Sequence, residues 1–429
     1  MAFIDHAIGL WKRRVHYFSD IGIARREPVI EITVLGTPVY IIGSAKIHTT
    51  PTASHFLALV FCNIPNHGID SPGDSSLLEG VRTTKRILNS KLGTDMNHKA
   101  ARLTSKRFRE LGTKETSIGL EVDLFGWVKH EVMRLVSESA YGPDNPFWDP
   151  EVESAFWEFE GSTIAFCFTN FLPKWMVPGL VNGIHGREVV VKALDKYLHT
   201  GHLVQGSPVV NAHYLLFKAG LDERDVARFE AANTLGTFGN TVPIAFWLLY
   251  HIYSNVELLA DIRAMIDLQK LPTATVFFSA VEEVSRHRAT GMGVRVVTED
   301  TIVSEGSNSY HLKKNGWIVI ANRALHTDRD VWGDTAESFV PGRFLGKTPH
   351  ISFRGFGNGA SACCGKNFAT YLIATFVALM VMRFDMEPVD GIWREPEQDG
   401  RMLAAQVAGP VKSPMVKMVA REDLSKVVW

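Results

Sequence analysis

The sequence predicts a mainly α-helical protein with small β-sheets near its two ends, and three observations carry that expectation. The stretch "PVIEITVLGTPVYIIG" supplies two β-rich runs, Val29–Val34 and Pro38–Ile42, around Leu35-Gly36-Thr37, which is a hairpin signal. From Leu77 to about Leu268 the patterns are mostly helical and amphipathic, with few strand runs. Beyond Gly291 the texture changes to short β-like pieces, "GVRVVT", "YHLKK" and "WIVIA", and the chain closes on another, "MLAAQVAGPVKSPMVKMV".

Within the helical region, Ser254–Glu257 has the Ser-x-x-Glu spacing of a capping box, so a helix is expected over "LLADIRAMIDL". The preceding run, "FEAANTLGTFGNTVPIAFWLLYHI", is apolar on nearly all sides and reads as a buried helix. Pro243 removes a backbone donor from it and should distort it locally. A loop-rich stretch at 326–362 leads into "FATYLIATFVALMVM" from Phe368. That run is too short for a membrane span and carries Thr370 and Thr375, so it too reads as a buried helix.

With 429 residues, no internal repeat and no linker, one domain over 1–429 is expected. A net charge of −1 argues against an electrostatic nucleic-acid binder. Four cysteines cannot form a disulfide framework in so long a chain, which favours a reducing compartment. The start, "MAFIDHAIGLWKRR", lacks a signal-peptide pattern.

The chemistry centres on "FRGFGNGASACCGKNFA", residues 353–369. Cys363 and Cys364 read three ways. They can be small buried hydrophobes, as most free cysteines are. Gly355-x-Gly357-x-x-Ala360 before a helix also passes as a dinucleotide fingerprint, with Asp385 at a tolerable distance and "HISF" as the strand it needs. Alternatively one cysteine is a thiolate ligand. Just ahead of a helix it meets the positive end of the dipole and unpaired N–H groups, both of which lower a thiol pKa. Upstream glycines let the backbone pass close to a flat cofactor, and such a thiolate can hold haem iron.

Phe356 to Gly365, "FGNGASACCG", resembles the haem-binding signature of the cytochrome P450 superfamily, Phe-x-x-Gly, three residues, then Cys-x-Gly. On that resemblance Phe356, Gly357, Gly359 and Gly365 are cofactor-binding and Cys363 is the iron ligand, while Cys364 stands where proline is common. Ser361 departs from the pattern, which usually has Arg or His there to contact a haem propionate. Glu283 and Arg286 in "AVEEVSRHR" resemble the superfamily's Glu-x-x-Arg, and "FVPGRF" offers Arg343 as the third member of a clamp. His98 and Arg102, at i,i+4 in "MNHKAARLTSKRF", resemble its propionate-gripping pair, and Arg295 falls where a further propionate-binding arginine sits. The implied fold is the P450 fold, with haem b (iron protoporphyrin IX) between the long central helix and the cysteine loop.

In oxygen-activating members the central helix carries an acid followed by threonine. Here Gly239 and Asn240 hold those places, with Thr241 next, and these three are the candidate catalytic positions. Glycine relays no proton, and asparagine can hydrogen-bond oxygen or a water but does not titrate. "GNTVPIAFW" resembles the subgroup of sterol 7α-hydroxylases and prostacyclin synthase and their fungal relatives. The resemblance therefore implies a monooxygenase, with an isomerase or dehydratase that needs no external electrons as the alternative; a haem-binding scaffold without turnover is the rival class.

The expected pocket draws on Thr237 and Phe238, on Gly291–Val294, and on Val407–Ala408 of the final turn. The expected substrate is a hydrophobic, medium-sized, terpenoid- or sterol-like molecule of secondary metabolism. Residues 162–181, apolar and aromatic with two prolines, suit a substrate lid that also touches a membrane surface. Electrons would come from NADPH through a P450-reductase-like flavoprotein docking near Arg107, Arg109 and Lys366. The resemblance further implies a monomer, on the cytosolic face of the endoplasmic reticulum if the full-length protein carries an N-terminal anchor and soluble as given. Members are usually longer at the N-terminus, so either an anchor segment is absent from this chain or the protein is naturally short.

Overall fold

The N-terminal hairpin forms as its pattern requires. In the computed structural model β1 (Val29–Val34) and β2 (Thr37–Ile42) are antiparallel, with Ile32 opposite Val39, and Gly36 turns the chain at φ +89°. The structure describes residues 2–34, 36–47, 52–53, 76–111, 119–168, 174–199, 205–218, 223–265, 275–347, 349–358, 362–402 and 405–421.

Helices α1 (Ala2–Arg13) and α2 (His16–Arg25) precede the hairpin, and β3 (Thr52–Ala53) follows it. Next come α3 (Ser76–Leu88), α4 (Lys91–Leu111), β4 (Leu120–Asp123), α5 (Leu124–Tyr141), α6 (Pro150–Gly161), α7 (Thr163–Phe168), α8 (Leu180–His199) and α9 (Pro208–Lys218). The long α10 (Glu223–Tyr253) is followed by α11 (Val256–Met265) and α12 (Thr275–His287). Strands β5 (Met292–Val297), β6 (Thr301–Glu305), β7 (Asn308–Leu312) and β8 (Trp317–Ala321) lead through α13 (Asn322–His326) and α14 (Arg329–Trp332). The chain closes with α15 (Lys366–Arg383), β9 (Phe384–Pro388) and β10 (Met415–Ala420).

The three β-like pieces beyond Gly291 are β5, β7 and β8; β6, the partner of β7, is a further short run that opens on the β-branched Thr301, Ile302 and Val303. One sheet has the order β1-β2-β8-β5-β3 and another the order β4-β10-β9, so the first joins the hairpin to the stretch after α12 and the second ties β4 to the C-terminal end. The helix expected after Ser254 is α11, but its cap is Asn255, whose Oδ1 accepts from Leu258 N–H at 3.0 Å. Asn is at least as good an N-cap as Ser and sits one residue closer to the first turn.

The helices α10 and α15 are the axis of the core. Along α10, Ala245, Phe246, Trp247, Leu248 and Leu249 are fully buried, and the Trp247 indole donates to Ala408 O at 2.8 Å. From Leu372 to Val381 α15 is buried on every side, as a run apolar but for Thr375 demands. Among the described residues no helix is long and apolar enough to cross a membrane.

Candidate active site

Where α10 passes the loop before α15, a cavity of about 480 Å³ opens. Thr237, Phe238, Asn240 and Thr241 reach it from α10, Gly291 and Met292 from the start of β5, and Phe356, Gly357, Cys363 and Gly365 from the cysteine loop.

The loop is held by local rules. Gly357 has φ +69°, a conformation that favours glycine. At Gly355 a Cβ would lie 2.5 Å from the Phe353 ring and 2.8 Å from Ser285 Cβ, so only glycine fits between them. Cys363 N–H donates to Phe356 O at 2.8 Å, closing the turn that aims the thiol into the cavity. Gly365 is the N-cap of α15. Burial pushes the Cys363 thiol up, although the N–H groups of Gly365 and Lys366 and the Lys366 ammonium pull it down. The expected net lowering is thus reversed in the protein alone, because desolvation of the thiolate outweighs the helix terminus; a metal cation at the sulfur inverts that balance. Cys364 is pushed up to about 11 by burial and by its neighbour Cys363.

Behind the loop, Glu283, Arg286 and Arg343 meet. Arg286 donates from Nε to Glu283 Oε2 at 2.8 Å and from Nη2 to Oε1 at 2.9 Å. Arg343 Nε lies 3.0 Å from both oxygens, and Val340 N–H adds a bond of 2.9 Å to Oε1. The remaining Arg286 donors reach the carbonyls of His326, Ala336 and Ser338. His326 carries the lock to the cysteine loop: its Nε2 accepts from Arg354 N–H at 2.8 Å, so its Nδ1 holds the hydrogen and donates to Arg286 O at 3.1 Å. Burial lowers His326 to about 3, keeping it neutral in this tautomer. Nothing in the sequence singled out His326.

On α10 the three candidate positions divide. Asn240 does not point a free amide at the cavity: its Oδ1 accepts from Gln406 N–H at 2.7 Å and its Nδ2 donates to Gly236 O at 2.9 Å, stapling the helix to the C-terminal turn. Thr241 is buried and lines the cavity. Gly239 is buried but does not line it, facing Glu160 of α6 instead.

Several expected site residues lie elsewhere. His98 and Arg102 are on α4 but exposed, away from the cavity wall, because Met96, Ala100, Ala101 and Thr104 form that helix's buried face. Val294, Val407 and Ala408 do not line the cavity. Val407 bridges to Ala289, and Ala408 is tied to Thr290 and Trp247, so Ala405 and Gln406 take their place. Arg107 is committed to Glu131 by two bonds, and Lys366 to Glu282 at 2.6 Å, which leaves Arg109 as the exposed cation of the three. Gly359, like Ser361, lies outside the described residues.

Arg295 on β5 is half-buried, and its guanidinium is lowered by burial and by the neighbouring positive charge of Arg354. Burial likewise lowers Arg354, whose Nε is buried without a hydrogen-bond partner. Neither arginine lines the cavity, but Arg354 directly precedes its lining residue Gly355, and two desolvated cations together with the Cys363 thiol match the donor set that an iron porphyrin with two carboxylates requires. Arg354, two residues before Phe356, was not anticipated; a lone arginine in a loop carries no signal in one sequence.

The comparisons with known proteins point to one family. The family model for cytochrome P450 matches residues 246–412, which contain the last two turns of α10, the clamp and the cysteine loop. The chain is 32% identical to the cytochrome P450 monooxygenase nodJ of Hypoxylon pulicicidum, across 99% of this chain and 89% of that one. It is 27% identical to the 25-hydroxycholesterol 7-alpha-hydroxylase of Rattus norvegicus over 40% of this chain and 49% of the relative. Over 20% of its length it is 36% identical to a bifunctional cytochrome P450/NADPH--P450 reductase of Bacillus cereus, of which that match covers 8%. With a thiol-floored cavity under a long central helix, a buried Glu-x-x-Arg clamp and a relative matched along almost its entire length, the chain belongs to the cytochrome P450 family.

Proposed function

We propose that this protein is a haem-thiolate monooxygenase that oxidises a hydrophobic, medium-sized molecule of terpenoid or sterol-like kind in secondary metabolism, with Cys363 as the iron's proximal ligand. The observation that carries this reading is the convergence of Cys363, Phe356 and the Thr237–Thr241 turn of α10 on one cavity. Haem bound there would supply dioxygen activation and C–H oxidation. The protein's own share is to fix the thiol through Phe356 O and the clamp, and to exclude water with Phe238 and Ile244. Arg295 and Arg354 would hold the propionates in place of the cation missing at Ser361. NADPH electrons through a flavoprotein reductase fit the fusion of such a reductase to two of the matched relatives. Exposed Trp175, Met176 and Val181 support contact with a membrane surface, in keeping with an endoplasmic-reticulum location.

A second reading, rearrangement without external electrons, is favoured by one feature: neither Gly239 nor the doubly bonded Asn240 offers a proton on α10. The reduced carbon-monoxide difference spectrum tests the thiolate, with Cys363→Ser expected to abolish it. Turnover of hydrophobic candidates with and without NADPH and reductase separates the two reactions, since product formed without electrons rejects monooxygenation.

A further inference from the structure

Gly239 stands where the resemblance leads one to expect an acid, and the structure shows what lies beside it. A Cβ built on Gly239 would be 3.7 Å from Glu160 Cγ and 3.8 Å from Glu160 Oε1. The carboxyl of Glu160 therefore reaches from α6 into the space that a carboxyl at 239 would enter. Glu160 is 2% exposed, and its Oε1 is buried with no hydrogen-bond partner. An unsatisfied buried carboxyl oxygen is costly, and such groups concentrate at functional sites.

Two further features make a path of this contact. Pro243 has no N–H, so it cannot give the carbonyl of Gly239, four residues earlier, the usual i to i−4 helical bond. On its other side Glu160 borders a second cavity of about 520 Å³, shared with Asp123, Lys129, Asp399 and Arg401. That cleft reaches solvent at exposed Gly126, Glu158 and Val411.

We infer that Glu160 is the proton-delivery residue of this enzyme, taking protons from the cleft and passing them across the Gly239 turn toward the cavity that Asn240 and Thr241 line. Its surroundings suit exchange near neutral pH. Burial raises its carboxyl to about 7; Lys129 and Arg401 pull it down and Asp399 pushes it up. The inference rests on the monooxygenase reading, in which a substrate C–H, dioxygen, two electrons from NADPH and two protons give an alcohol and one water. Each proton that Glu160 releases is replaced from the cleft, so the carboxyl ends each cycle as it began. It acts through the Gly239 turn and touches no reacting atom.

The test uses the haem-loaded full chain with reductase, NADPH and dioxygen and no organic substrate. There dioxygen takes two electrons and two protons to hydrogen peroxide, or four of each to two waters. Peroxide formed per NADPH is measured from about pH 6 to 9, a range that brackets the carboxyl. Glu160→Gln is expected to raise the peroxide share about twofold or more and to flatten its pH dependence. Adding Gly239→Asp to Glu160→Ala, which clears the space that the new carboxyl enters, should restore both, since a Cβ at 239 meets only ordinary van der Waals contacts. Independently of turnover, the infrared spectrum of the resting protein should show a carboxylic-acid carbonyl band that fades around pH 7 and is missing in Glu160→Gln. A native peroxide share and pH profile in Glu160→Gln, or no such band, overturns the inference. A merely structural role would lower haem content without moving the pH profile, and Gly239→Asp would not rescue it. Absence of reductase-dependent NADPH oxidation in the native protein would instead reject the monooxygenase reading, and this inference with it.

Discussion

Glu283 and Glu160 are both buried carboxyl groups, yet their surroundings are opposite. Glu283 is fully buried and receives hydrogen bonds from Arg286, Arg343 and Val340 on both oxygens. Glu160 is almost as buried, but its Oε1 has no partner and the nearby Lys129 is itself lowered by burial. The first arrangement is a lock: a charge surrounded by charge-assisted donors is held in one geometry. The second leaves the carboxyl free to change protonation state. One side of the site is built to stay still and the other to exchange a proton.

The largest expected effect comes from breaking the lock. Glu283→Gln leaves Arg286 and Arg343 with an uncompensated buried charge and should destabilise the fold by about 3–5 kcal/mol, read from urea unfolding at neutral pH. A loss under ~1 kcal/mol would mean that the clamp is no lock.

Glu160→Gln should do the reverse. A carboxyl raised from its ordinary 4.5 to about 7 on folding adds stability below pH 4.5 that is lost as pH rises through 7. Gln has no such loss, so at pH 8 the variant should exceed the native protein by up to ~3 kcal/mol, with no such gain at pH 4.5. Equal stability at both pH values would place Glu160 in the same class as Glu283.

A smaller effect sharpens the cysteine side. Arg354→Met should release haem about tenfold faster, roughly 1.4 kcal/mol, in transfer to an acceptor protein. The difference from native should vanish with the dimethyl ester of the cofactor, whose propionates carry no charge. If the rates already agree with free-acid haem, Arg354 holds no propionate. The smallest effect belongs to Cys364→Ala, expected within about 0.5 kcal/mol of native stability and with an unchanged carbon-monoxide spectrum. A lost thiolate band there would move the ligand from Cys363 to its neighbour.

What could be read in advance followed sequence distance. The turn from Phe356 to Gly365 and the i,i+3 pair of Glu283 and Arg286 are short-range patterns, and the hairpin of β1 and β2 is a two-residue alternation closed by Gly36. Arg343 could be paired with Glu283 only through resemblance, yet its Nε is 3.0 Å from both oxygens. Where a side chain on a helix faces was a different matter. His98 and Arg102 have the right spacing but occupy the exposed face of α4, and Arg107, expected at a docking surface, is spent on Glu131. Val407 and Ala408 were one step too far along the terminal turn, because the bridge to Ala289 buries them and presents Ala405 and Gln406.

By itself the sequence determined a helical chain with terminal sheets, the cysteine that the anchors Phe356 and Gly365 select, and the departure at Gly239. Each is written within one turn or one loop, where covalent geometry and helical period limit what neighbours can do. Only the tertiary structure decided that Asn240 is stapled to Gln406, that His326 ties the clamp to the loop, that Arg354 Nε is buried without a partner, and that Glu160 of α6 fills the space beside Gly239. Those contacts join residues far apart in the chain, and helix packing, which leaves no local trace in one sequence, brings them together.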